Sequence, residues 1–266
     1  MRMPAVFASH GGGPMPLLAT DPGNGALAAW LAGLAATLPS APTAIVVVSA
    51  HWECPVATVT SAARPPLLFD YSGFPPETYA YTYAAPGAPQ LAGRIESMLG
   101  ERGIAAALDD KRGFDHGTFV PLMLAFPSAT IPVVQLSLVD GLDAKAHMAI
   151  GKALRPLRDE GVLILGSGSS FHNMGSFFGQ PGLGDNATKW DAYLDTAMAG
   201  GDGPRRQLLA DWATAPGAKH SVPRAEHLAP LWVVAGAAHK VDAGRRVWGE
   251  ANFMVPGLAM SSWQVG

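Results

Sequence analysis

The sequence predicts an α/β protein, one domain over residues 1–266, built on a central mostly parallel or mixed sheet with helices on both faces. Three observations predict it. Short apolar, β-branched runs recur along the chain, Ala- and Leu-rich segments with helical spacing lie between them, and no linker divides the chain into halves. Strands that read as continuous apolar runs are buried on both faces, so helices must cover both sides of the sheet.

In chain order, the first run is PAVFA at 4–8, ending in SHGGGP. An Ala- and Leu-rich helix follows over 25–38. The second run, TAIVVVS at 43–49, gives way to AHWE, which places an imidazole where a hydrophobic strand runs out. YAYTY at 79–83 alternates and suits an edge strand. Helical spacing returns over 89–102. A strand over 131–137 precedes a helix over 143–159, and a strand over 162–167 ends in GSGSSFHN. Segments 187–198 and 208–212 read as helical, and 227–239 is apolar enough to be a buried helix.

Composition narrows the function. Only 15% of residues are charged, the net charge is −3, and Lys and Arg form no runs, so neither nucleic acid nor an anionic membrane is an expected partner. The N-terminal MRMPAVFASHGGGP lacks the apolar core of a secretion signal, and no stretch reaches the roughly 18 apolar residues of a membrane span. The single cysteine, Cys54, excludes an intrachain disulfide, fits a reducing cytoplasm and is expected to be a small buried filler. Scattered Gly and Pro suggest many short loops. A homo-oligomer is common for soluble enzymes of this size.

Five of the eight histidines share one context, the end of a core element beside Gly, Ser or Pro. They are His10 in SHGGGP, His51 in SAHWE, His116 in DHGTFVPL, His172 in GSGSSFHN and His227 in EHLAPLWVVAGA. Of the rest, His147 reads as a surface helix residue, His220 as a loop residue with a weaker claim to substrate contact, and His239 as solvated. Each of the five could alone be an ordinary polar residue at a strand or helix end. In open α/β sheets, however, ligands gather at the carboxyl ends of strands, and His10, His51 and His172 all follow such ends. Neutral imidazole is a common ligand for zinc and iron. No HExxH-type spacing is present, so a mononuclear metal site would be assembled from distant segments. The residues alone do not identify the metal. GGGP lacks the Lys and Ser/Thr of a phosphate-binding loop, and GSGSS does not match a hydrolase nucleophile elbow.

These five motifs, in this order and spanning nearly the whole chain, resemble the class III extradiol ring-cleavage dioxygenases, and more closely the 4,5-DOPA-cleaving branch. The resemblance implies a non-haem Fe(II) centre in which Zn(II) can stand, with His10 and His51 as ligands. The third ligand falls on His227, where protocatechuate-cleaving relatives carry Glu. Glu226 is adjacent, but neighbours on a helix point about 100° apart. His116 and His172 fall on the acid–base positions, with His172 also a candidate fourth ligand. The implied substrates are a DOPA-like catechol and O2, and the product is a ring-opened semialdehyde. Trp52, Phe74 and Tyr79 are candidate pocket walls. Ser9, Asp115 and Asn173 are candidate polar groups around the ligands or substrate. The competing readings are a zinc-dependent hydrolase and a non-catalytic binding protein on the same scaffold.

Overall fold

A computed structural model describes residues 1–18, 22–177 and 183–266. The elements run β1 (Ala5–Ser9), α1 (Met15–Leu18), α2 (Pro22–Thr37), β2 (Ala44–Cys54), β3 (Ala57–Thr60), α3 (Pro89–Gly100), β4 (Ala106–Asp109), α4 (His116–Ala125), β5 (Val133–Val139) and α5 (Ala144–Asp159). They continue with β6 (Val162–Gly168), α6 (Met174–Phe177), α7 (Leu183–Ala199), α8 (Asp202–Ala210), α9 (Ala218–Ser221), α10 (Ala229–Gly236), β7 (Gly244–Glu250) and β8 (Met260–Val265).

Among the described residues the strands form one sheet of eight in the order β4-β3-β5-β2-β6-β1-β8-β7. The four apolar runs become its centre, β5-β2-β6-β1, and are mutually parallel, so their carboxyl ends share one edge. β8 joins β1 antiparallel, β7 joins β8 antiparallel, and β3 touches β5 antiparallel. Alternation along each strand divides the core in two. Ala5, Phe7, Val46 and Val48 face the side covered by α3, α5 and α10. Val6, Ala8, Ile45 and Val47 face the side packed with residues of α2 and α4.

α10 is buried all round and lies between α5 and the sheet. The approach is possible because Gly151 of α5 has no side chain: a Cβ there would lie 1.9 Å from the Val233 carbonyl oxygen. α5 begins at Asp143, whose carboxylate accepts the Ala146 N–H at 2.7 Å.

Several expectations need correction. Residues 79–83 form no strand. Pro75 and Pro76 start a short 3-10 turn, Pro76–Ala80, and neither prolyl nitrogen can donate to a ladder. β2 does not stop at residue 49 but runs to Cys54, with a register shift against β5 between Val48 and Glu53. Such an irregularity re-aims side chains, and His51 sits within it. His147 is fully buried, not on the surface. Its Nδ1 bonds the Asp143 carbonyl at 2.8 Å, and its Nε2 accepts the Val139 N–H at 3.1 Å. Cys54 and His239 are half-buried rather than buried and solvated.

Candidate metal centre

Two central strands and the approach to α10 deliver three imidazoles to one place. His10 follows β1 directly, and its backbone N–H is held by the Gly168 carbonyl at 2.9 Å. His51 comes from the irregular end of β2. His227 lies just before α10, and its carbonyl accepts the Ser169 N–H at 2.9 Å. Gly168 makes that crossing possible, since a Cβ there would fall 2.1 Å from the His227 carbonyl oxygen. One ring nitrogen from each of His10, His51 and His227 lies within 4.8 Å of the others. The remaining two flank this trio. His116 opens α4, with its ring centroid 3.9 Å from that of His51, and His172 stacks on His227 at 3.4 Å.

Hydrogen bonds fix which nitrogens are free. Ser167 Oγ donates to the Gly117 carbonyl, so it can only accept from His10 Nδ1, 2.9 Å away. His10 Nε2 therefore carries a lone pair, and it faces His51 Nε2 at 3.1 Å. His227 Nδ1 donates to Glu226 Oε1 at 3.0 Å, which leaves its Nε2 unprotonated. Burial, reinforced by the neighbouring imidazoles, pushes His10 and His51 far below the usual histidine range. The same burial pushes His227 down to about 4, although Glu226 opposes it. At neutral pH the trio is uncharged, which is the state in which imidazole binds metal. His51 Nε2 lies against the His10 Nε2 lone pair, and imidazole nitrogens converging in a largely buried site form a donor set that fits a divalent metal ion.

Two carboxylates tie the trio to its flanks. Asp70 Oδ1 accepts from His116 Nδ1 at 2.8 Å and from the His116 backbone N–H at 3.0 Å, while its Oδ2 lies 3.7 Å from His51 Nδ1. Glu226 Oε1 accepts from His227 and lies 3.1 Å from His172 Nδ1. Burial raises both carboxyls, but the imidazole hydrogen bonds outweigh it. Asp70 ends below its ordinary value and Glu226 well below the carboxylate range.

The other expected residues divide. Phe74 lines a cavity beside the trio, together with Gly11, Gly12 and His172. Tyr79 stands behind Phe74, its hydroxyl accepting the Phe74 N–H at 3.4 Å and its ring packed on Tyr71. Trp52 does not line this cavity. Its ring lies beneath the Arg112 guanidinium instead, whose carbon is 5.3 Å from the ring centroid. Ser9 donates to the Ser261 carbonyl, and Asn173 bonds His220 O and Gly175 N, so neither supports an imidazole. Asp115 touches no histidine side chain. It caps α4 through the Thr118 N–H and is held by Ser49, Arg112 and Gln135. The groups that hold the imidazoles are Ser167, Asp70 and Glu226. Ser167 could have been found from its place at the end of an apolar strand, and Glu226 from its adjacency to His227. Asp70 lies in the loop before YSGF and had no signal. In GSGSS, Ser169 donates to the Phe171 carbonyl, and Ser170 accepts the Ser261 N–H, so neither forms a Ser–His pair.

The chain is similar to known proteins along most of its length. A family model described as the catalytic LigB subunit of aromatic ring-opening dioxygenase matches residues 3–254. A 4,5-DOPA dioxygenase extradiol of Beta vulgaris is 40% identical over 237 residues, covering 87% of this chain and 85% of the relative. One from Escherichia coli K12 is 37% identical over 239 residues, covering 89% and 85%. The dioxygenase tasH of Hapsidospora irregularis is 36% identical over 266 residues, covering 91% and 80%. A solved structure of an uncharacterized Escherichia coli K12 protein superposes with a TM-score of 0.82 at 33% identity over 100% of both chains. The chain belongs to this family of aromatic ring-opening dioxygenases and is an enzyme of the extradiol type.

Proposed function

We propose that His10, His51 and His227 hold Fe(II), and that the enzyme opens a catechol ring beside its diol with both atoms of O2, giving a semialdehyde. The observation that carries this reading is the trio itself: three neutral imidazoles, two buried and His51 half-buried, whose ring nitrogens converge. Zn(II) suits the same ligands, but only a redox-active ion supports oxygen chemistry. When bound, the metal supplies the binding site for the diol oxygens and the electronic link to O2.

The protein's own contribution is proton handling and exclusion of water. A catechol binds a metal well only after losing protons. His116 donates its Nδ1–H to Asp70, so its Nε2 is the base that takes a hydroxyl proton, and Asp70 stabilises the imidazolium that forms. His172 is held through Nδ1 by Glu226, stacked against His227 and bordering the cavity, so it is placed to return a proton as the ring opens. Three protein ligands leave positions for both diol oxygens and O2. Among the described residues no helix is long and apolar enough to cross a membrane. A reducing cytoplasm would suit both Fe(II) and the free Cys54.

The test is O2 uptake by anaerobically iron-loaded protein with a catechol, followed by absorbance of the yellow ring-opened product. Uptake with that product supports the reading. Catechol left intact by protein shown to contain iron, or equal turnover with zinc, overturns it.

A further inference from the structure

The cavity beside the trio is about 360 Å³, large enough for a catechol ring and a substituent. Its walls include Met15, Phe74, Phe171, Phe253 and Met254, and it meets the metal ligands through His172 and the Gly11–Gly12 backbone. Among the described residues, none lining the cavity apart from His172 is ionisable, and the one lining hydroxyl, Ser169 Oγ, is spent on the Phe171 carbonyl. Residues 19–21 and 178–182, which border these lining segments in sequence, contain no Lys, Arg or His. The two arginines near the imidazoles are already engaged. Arg112 bonds Asp115 and the His51 carbonyl, and Arg224 pairs with Glu53 and Glu226.

The backbone adds an independent observation. Met254 sits at φ +60°, in the left-handed region that favours glycine, inside a tight turn closed by Val255 N–H to Phe253 O at 2.7 Å. Glycine would relieve that strain. The chain instead keeps a thioether there, on the cavity wall, with Met15, Met174 and Met260 also lining it. Methionine fits apolar shapes of varied outline.

We propose that the ring substituent of the preferred substrate is uncharged and apolar, so that this enzyme acts on alkyl- or aryl-substituted catechols in preference to catechols bearing an amino-acid or carboxylate side chain. This inference rests on the ring-cleaving reading above. A carboxylate entering the cavity would lose its hydration without gaining a cation. Each buried methylene, in contrast, gains roughly fourfold in affinity.

Two measurements decide it. The first compares kcat/KM of iron-loaded enzyme for 4-butylcatechol and L-DOPA, with unsubstituted catechol as the reference. The expected preference for 4-butylcatechol is on the order of 100-fold, and equal or better use of L-DOPA overturns the proposal. Met254→Lys places a cation on the wall and is expected to shift the ratio towards L-DOPA by at least tenfold. Met254→Gly is expected to raise Tm, by relieving the turn, while lowering the preference. An unchanged ratio in both variants overturns the role given to this wall. The second measurement is calorimetric binding of 4-butylphenol and L-tyrosine, which share a phenol ring and are not extradiol substrates. Tighter binding of 4-butylphenol supports the proposal even if no catechol is cleaved, an outcome that would sink the ring-cleaving reading alone. Equal binding, or tighter L-tyrosine, overturns it.

Discussion

The two ends of the parallel strands bury polar groups in opposite ways. At the amino end, Arg158 is fully buried and its bonds are spent. Its guanidinium donates to the carbonyls of Met3 and Ala237 at 2.7 Å, to Val265 O at 3.1 Å and to Asp242 at 2.7 Å. At the carboxyl end, His10, His51 and His227 are also largely buried, yet their remaining ring nitrogens converge on one another rather than on other elements of the fold. A buried cation that is saturated by carbonyls and a carboxylate joins elements together. Imidazoles whose remaining nitrogens converge on one another join few elements together, and their arrangement suits a receptacle. Satisfaction, not burial, separates the structural end from the chemical one.

The comparison can be broken by exchanging the consequences of mutation at the two ends. The largest expected effect is at the trio: His51→Ala should lose the metal and reduce ring cleavage to background while the fold survives. Metal content per folded molecule, with thermal unfolding of the metal-free protein, checks this, and full iron occupancy in the variant would refute the ligand assignment. Next, His116→Ala should keep the metal and lose about 10²–10⁴-fold in kcat, the usual contribution of one general acid–base group. The mirror experiment is Arg158→Met, which removes the buried cation from Asp242 and the donors from three carbonyls. Denaturant unfolding should show a loss of about 3 kcal/mol with metal stoichiometry unchanged. A smaller effect is expected for Ser167→Ala, which frees the His10 ring to turn and should weaken metal binding about 10–100-fold.

Acid should separate the two ends without mutation. In the metal-free protein the folded value for His227 is about 4, against an ordinary value near 6.5, so between these pH values the unfolded chain binds more protons than the native one. Stability linked to His227 is therefore full above pH 6.5 and falls as pH drops towards 4, and His10 and His51, held lower still, carry the loss on below that. Asp242 titrates in another window. Burial raises its carboxyl, but the His239 backbone N–H and Arg158 outweigh this and hold it below its ordinary value. Its contribution persists until the pH falls below about 4. Unfolding free energy measured across pH 3–8 should begin to fall near pH 6.5 and fall more steeply below about 4, and metal should remove the loss that begins near 6.5.

The sequence made the centre of the sheet legible because strands buried on both faces must be apolar throughout, as AVFAS and AIVVVS are. The outer strands were not legible. ATVT and AALD are four residues long, GRRVWGE carries two arginines, and MSSWQV looks polar although every residue in it is buried. Its serines point into contacts with β1 and with Ser170 and Asp191, a tertiary fact with no local pattern. The five histidines could be found because small residues at strand ends announce a site. Their acceptors could not, since Asp70 reaches His116 across 46 positions through a loop that obeys no period. Asp115 misled for the converse reason, being next to a histidine in sequence and turned away from its ring to cap the helix.

The pairing of β1 has a consequence for how the protein comes to life. The strand that carries His10 is made early, yet both of its neighbours, β6 and β8, arrive late, and the Ser9 N–H finds Ser262 Oγ across 253 positions. While synthesis proceeds, an apolar strand waits with both edges open, the condition in which chains stick to one another. Closure of so distant a contact is slow. A metal held by His10, His51 and His227 would therefore be acquired only after β6 and β8 have closed on β1, and the waiting strand must be kept covered until then.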